Sequence, residues 1–166
     1  MSDSDQPPVR GADPLASVIA GLSIPDPWDL QQFVDALAAQ RGKPISLVGR
    51  AGLKAAGFPC GLLAETDELT LIVYEERSSR YMVEHTVLHE IGHLLLDHEG
   101  ERIHDALGEY LGGLVGPGSL ARMETALARG VFGTAKELEA EAFANLIMPA
   151  MRRRPFAPFR NIFVRG

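Results

Sequence analysis

The sequence predicts an α+β fold, a small twisted sheet of about three strands packed against helices, and three observations carry that prediction. Strand-sized apolar stretches fall between residues 45 and 74. Amphipathic segments of helical length lie on both sides of them, each with a start or stop signal. No apolar run approaches the roughly 20 residues that span a bilayer. At 166 residues, 46% of them hydrophobic, the chain is long enough for one domain with a real core.

The elements follow in order. Residues 1–24 are rich in Asp, Ser, Pro and Gly and read as a flexible N-terminal segment, although Leu15 to Leu22 is apolar enough to dock. Asp26 reads as a helix cap with Pro27 at the first position; Leu30, Phe33, Val34 and Leu37 then line one face before Gly42 stops the helix. Ile45 to Val48 is strand-like. Leu62 to Ala64 and Leu69 to Tyr74 flank Glu65-Thr66-Asp67-Glu68 as a hairpin. A helix is predicted from Ser79 to His98. The five glycines and Pro117 of residues 108–118 mark a loop able to gate access, followed by a helix from Leu120 to Arg129. Thr134-Ala135-Lys136-Glu137 has the form of a capping box, with Thr134 as cap, opening a helix that ends before Pro149. The expected organisation is therefore 1–24, a domain over 25–150, and a basic tail over 151–166.

The helix from Ser79 contains His89-Glu90-Ile91-Gly92-His93. Residues four apart on a helix are separated by about 40° and roughly 6 Å of rise, so both imidazoles leave one face and can close on a single ion. Glu90, about 100° away, is placed to take a proton from water without being a ligand. Val87, Leu88, Ile91, Leu94 and Leu95 fill the opposite, core-facing arc, while Thr86, Glu90, His93 and Asp97 share the polar side with His89. His98 projects onto the apolar side and reads as a satisfied helix-end histidine rather than a ligand. His85, one turn before His89, borders the site. Asp97 reads either as a carboxylate that orients an imidazole or as a solvated helix-terminal acid.

Such a centre in a hydrolase needs a third protein ligand and an open position. On the wheel of the last helix Glu139 falls among Leu138, Ala142, Ala135, Leu146, Phe143, Ile147 and Ala140, while Glu137 and Glu141 fall on the polar back. A carboxylate on an apolar stripe requires a metal or a buried cation, and the incomplete His89–His93 pair favours metal, with Glu139 as the third ligand.

These residues together resemble the ImmA/IrrE family of zinc metallopeptidases. The likeness lies in His89-Glu90-Ile91-Gly92-His93-Leu94-Leu95-Leu96, Glu139-Ala140 with Phe143-Ala144, and Leu146-Ile147-Met148-Pro149. Pro27-Trp28-Asp29, Pro59-Cys60-Gly61-Leu62 and the strand ending at Tyr74 look like its actinobacterial branch. The resemblance spans roughly residues 27–149. It implies a zincin-like domain, Zn²⁺ as cofactor, Glu90 as catalytic base, and cleavage of a helix-turn-helix transcriptional repressor as the activity. A donor to the developing oxyanion is also needed, with His85, Tyr81 and Tyr110 as candidates. Leu69 to Tyr74 is the expected edge for an extended substrate.

Bulk properties bound the alternatives. A single cysteine, Cys60, excludes an internal disulfide framework, and the acidic N-terminus has no signal-peptide pattern, so a cytoplasmic protein is expected. The formal charge of −6 argues against direct nucleic-acid binding, and no membrane partner is indicated. Residues 151–166 hold five arginines and no acid, interleaved with phenylalanines. They read as an arm on the acidic body or as a contact for an acidic partner or nucleic acid. Two other functions fit the histidine motif. One is a peptide deformylase-like hydrolase using Cys60, although Pro59-Cys60-Gly61-Leu62 lacks that family's glutamate-glycine-cysteine-leucine order. The other is a non-catalytic regulatory module with a structural or vestigial metal site, in which an intact Glu90 has no purpose.

Overall fold

The computed structural model describes residues 13–53, 55, 61–65, 68–98, 127–129 and 133–153. In order, these form α1 (Pro14–Ala20), α2 (Leu30–Arg41), β1 (Ile45–Arg50), β2 (Gly61–Glu65), β3 (Thr70–Glu75), α3 (Arg80–Leu95), β4 (Leu127–Arg129) and α4 (Thr134–Ile147), with a 3-10 segment over Met148–Arg153. The fold is α+β, as predicted. Tyr110, Cys60 and His104 lie outside the described residues, as do the loop at 108–118 and the tail from 154 onward.

The sheet has four strands in the order β1-β3-β2-β4. β1 runs parallel to β3, pairing Leu47 with Ile72, and β2 lies antiparallel to β3, pairing Leu63 with Ile72. The predicted hairpin is therefore present. β4 adds to the far side of β2, pairing Ala64 with Ala128. Two expectations change here. The end of the helix predicted over Leu120 to Arg129 is instead a strand, because Leu127–Arg129 completes the backbone hydrogen bonding of β2. And β3 is interior rather than an edge: β1 occupies one side and β2 the other, which leaves β1 and β4 as the edges among the described residues.

Local capping explains where the helices start and stop. Asp29, not Asp26, caps α2: its Oδ1 accepts from the Gln32 amide at 2.8 Å. Asp26–Pro27 is a cis peptide in the turn before it. Gly42 ends α2 at φ 65°, as its position in the sequence predicts. Ser79 caps α3 through the Met82 amide. The docking expected of Leu15 to Leu22 takes the form of α1, whose Leu15, Val18 and Ile19 pack with Leu22 against the core.

That core is built from Phe33, Val34 and Leu37 of α2, Leu63 and Ile72 of the sheet, Val87, Leu88, Ile91 and Leu94 of α3, and Phe143, Ala144 and Ile147 of α4. α3 lies on β2 and β3 and packs most extensively against α4. Its first turns are tied down by Glu84, a buried carboxylate that accepts from Trp28 Nε1 at 3.1 Å and from Arg80 Nε at 2.9 Å. No helix among the described residues is long and apolar enough to cross a membrane.

Candidate metal centre

Two close approaches position the chemistry. The first is Gly92 against α4. A Cβ at Gly92 would lie 3.0 Å from Ala140 Cα, 3.2 Å from the Ala140 carbonyl oxygen and 3.2 Å from Phe143 Cβ. A glycine facing an alanine lets two helices approach more closely than larger side chains permit. The second is Gly61 at the start of β2. A Cβ there would lie 2.7 Å from Thr86 Cγ2, 2.8 Å from Glu90 Oε1 and 3.1 Å from the Val73 carbonyl oxygen. The strand backbone thus forms the wall behind Glu90, and a larger residue would displace the carboxylate.

On the α3–α4 interface the two motif histidines converge. Their Nε2 atoms are 3.0 Å apart, with rings at 77°. Glu137 completes the group: its Oε2 lies 3.2 Å from His89 Nε2 and its Oε1 lies 3.6 Å from His93 Nε2. Four donors placed tetrahedrally at about 2.1 Å from zinc stand roughly 3.4 Å from one another. The observed separations bracket that value, so His89, His93 and Glu137 form a group that could hold a metal ion. Burial lowers the pKa of His89, against the opposing charges of Glu137 and Glu141 and with a smaller lowering from His85. The ring is thereby kept neutral, the form in which a ring nitrogen can donate its lone pair.

Glu139 does not join the two imidazoles. The carboxylate is 60% exposed and its Oε2 pairs with His98 Nε2 at 2.8 Å. The buried face of α4 is Ala140, Phe143, Ala144 and Ile147, and Glu137 lies one turn before Ala140 and in line with it. The leucines that centred the wheel on Glu139 face outward, Leu138 being 66% and Leu146 58% exposed. The capping-box reading concealed Glu137 as well. Gly133 is the N-cap of α4, Thr134 is already helical, and the Glu137 side chain turns to the histidines instead of back to the cap. The i, i+3, i+7 spacing of Glu137, Ala140 and Ala144 was the available signal.

The remaining predicted residues fall as follows. His85 borders the site, its Nε2 3.2 Å from Glu141 Oε1, while Glu141 Oε2 lies 3.6 Å from His89 Nδ1. Tyr81 is exposed and stacks on His85 with centroids 6.4 Å apart. Asp97 is exposed and lies past the end of α3, where its φ of 51° makes the turn that ends the helix. His98 follows that turn, so a helical projection misplaces it. It folds back beneath the site, 4% exposed, with its Nδ1 2.9 Å from His93 Nδ1.

Glu90 is buried next to this group. Its Oε2 has no hydrogen-bond partner among the described residues. Burial, together with the charge of Glu137, raises its pKa from 4.5 to about 8. A buried carboxyl with one oxygen left without a partner is costly for folding and is the kind of strain found at functional sites. The chain matches no protein-family model, no curated protein and no solved structure.

Proposed function

We propose that this chain is a zinc-dependent peptidase with a zincin-like centre, in which His89, His93 and Glu137 hold the metal and Glu90 moves the proton. The observation that carries the reading is the pairing of a three-donor group with the buried carboxyl of Glu90, next to His89 on the same helix, whose Oε2 has no partner among the described residues. Two imidazole nitrogens and one carboxylate are a donor set suited to zinc in hydrolytic sites, where a fourth position stays open. Zinc bound there supplies a Lewis acid that polarises a carbonyl and acidifies water.

The chain's own residues do the rest. Glu90, in its ionised form, takes the proton of the attacking water and returns it to the leaving amine. Gly61 keeps that carboxylate against the strand backbone and Gly92 lets α4 deliver Glu137. His85, held by Glu141, lies one turn from His89 and is the donor candidate that borders the group. A peptide held extended has the outer edge of β4, an edge of the sheet among the described residues, as its pairing surface. A site that only held metal would gain nothing from Glu90, which disfavours a purely structural centre. Glu137 also supplies a third donor without Cys60, which disfavours a deformylase-like site.

On this reading the chain is a peptidase of the ImmA/IrrE type, and its substrate is a helix-turn-helix repressor cut at one exposed site. The sequence resemblance supports this, and the net charge of −6 suits a basic partner. The deciding experiment measures zinc content and cleavage for wild type and Glu90→Gln. Equal zinc with proteolysis lowered at least about a hundredfold is expected for loss of a general base. Undiminished turnover in the variant would overturn the mechanism.

A further inference from the structure

Behind the metal-facing edge of His93 lies a second chain of contacts that hydrolysis itself does not require. His93 Nδ1 is 2.9 Å from His98 Nδ1, and His98 Nε2 is 2.8 Å from Glu139 Oε2. The two rings meet edge to face, with centroids 5.1 Å apart at 67°. Their placement is built into the backbone. α3 ends at Leu95, the Leu96 amide bonds back to the Gly92 carbonyl, and Asp97 takes the left-handed conformation. The His98 amide then donates to the His93 carbonyl at 3.0 Å, the six-to-one bond of a Schellman ending. That turn swings His98 under the helix it has just left.

We propose that His98 and Glu139 are positioning residues of the metal centre, fixing His93 in the one tautomer whose Nε2 lone pair faces His89 and Glu137. The proton assignment follows from the far end. An ionised carboxylate only accepts, so His98 Nε2 donates to Glu139. A neutral His98 then has a bare Nδ1, which accepts from His93 Nδ1–H. His93, with its proton on Nδ1, is left with a bare Nε2 on the side of Glu137 and His89. Metal-binding histidines are oriented in this way by an acceptor on the second ring nitrogen. Here the acceptor is another histidine, which carries the carboxylate's influence across the gap between α4 and the end of α3. The inference rests on the proposed metal site but not on hydrolysis.

The test reads zinc rather than activity. Stoichiometry at saturating zinc, and Kd by chelator competition, are measured for the wild type, His98→Ala, His98→Asn, Glu139→Ala and the His98→Ala/Glu139→Ala double variant. Glu139 is exposed, so its removal does not threaten the fold and keeps the test valid even where His98→Ala fails to fold. All should bind one zinc, with Kd weakened about ten- to a hundredfold in His98→Ala and by less in Glu139→Ala. The double variant should be no weaker than His98→Ala, because the two residues act through one contact. His98→Asn, whose Oδ1 can take the place of Nδ1 as acceptor, should recover most of the affinity. Affinities within about twofold of wild type in both single variants would overturn the proposal. So would additive losses, failure of asparagine to rescue, or complete loss of zinc in Glu139→Ala, which would make Glu139 a ligand. Wild type that binds no zinc would overturn the metal site as well, an outcome distinct from loss of the relay alone.

Discussion

Replacing Glu90 by glutamine should stabilise the metal-free protein at neutral pH, even though it removes the proposed proton carrier. The side chain is 4% exposed, its Oε2 is unpartnered among the described residues, and its pKa rises from 4.5 to about 8. In the unfolded chain the group ionises at its ordinary value. Between that value and about 8 the folded state therefore holds the extra proton, and stability falls as pH rises through the window. At 1.36 kcal/mol per unit, the full shift amounts to about 5 kcal/mol, of which about 3 kcal/mol is lost by pH 7. Glutamine has nearly the same shape and never ionises, so it removes this slope.

The assay is denaturant unfolding of chelator-treated wild type and Glu90→Gln between about pH 5 and pH 8. The two stabilities should differ by about 1 kcal/mol or less at the acid end and by about 3 kcal/mol at pH 7, with the variant more stable. Parallel pH dependences would refute the argument, since they would mean the carboxyl is solvated or paired in the folded protein. Zinc should reduce or reverse the difference, because a nearby dication favours the ionised carboxylate.

Three further outcomes follow from the site. Glu137→Ala should lose zinc, weakening affinity by at least about a hundredfold, whereas Glu141→Ala should retain one zinc per chain; metal analysis of both proteins checks the assignment. Gly92→Ala should push α4 outward and cost about 1–3 kcal/mol in unfolding free energy, together with weaker zinc binding, because Ala140 backbone atoms lie 3.0 and 3.2 Å from the new methyl. On the proposed function, co-expression with a helix-turn-helix repressor should yield one discrete fragment that is absent with Glu90→Gln. An intact repressor alongside a zinc-loaded enzyme would restrict the proposal to a generic peptidase.

Much of this fold was legible because local signals and burial agree. The α2 face of Phe33, Val34 and Leu37, the hairpin around residues 65–68 and the start of α3 at Ser79 all stand where the sequence pattern puts them. The His89–His93 face was legible because a four-residue step on a regular helix leaves little freedom. The third donor was misread because a wheel assumes that leucines point inward. Leu138 and Leu146 do not, and with them removed the buried stripe rotates toward Glu137. His98 is the satisfied helix-end histidine that was expected, but its direction was misread for a different reason. Its direction depends on a single positive φ at Asp97, a residue whose sequence context suggests solvated helix more readily than a turn. The interior position of β3 depends on a non-local parallel pairing with β1, which no local pattern encodes.

The arrangement of charges along the two helices explains why one close crossing matters to the whole centre. α3 presents His85, His89 and His93 at four-residue steps and then His98 after its turn; α4 presents Glu141, Glu137 and Glu139. Glu141 reaches both His85 and His89, Glu137 reaches both His89 and His93, and Glu139 reaches His98. Each of the two inner histidines is thus held from more than one side, so loss of one outer acid leaves the ring with another contact. The crossing at Gly92 and Ala140 has no such redundancy, because every one of these distances depends on it. A methyl at Gly92 should therefore weaken zinc through all the contacts together, while single-acid variants other than Glu137→Ala shift affinity by smaller steps. That ordering of effects separates a metal centre built by helix packing from one assembled by a chance cluster of surface acids.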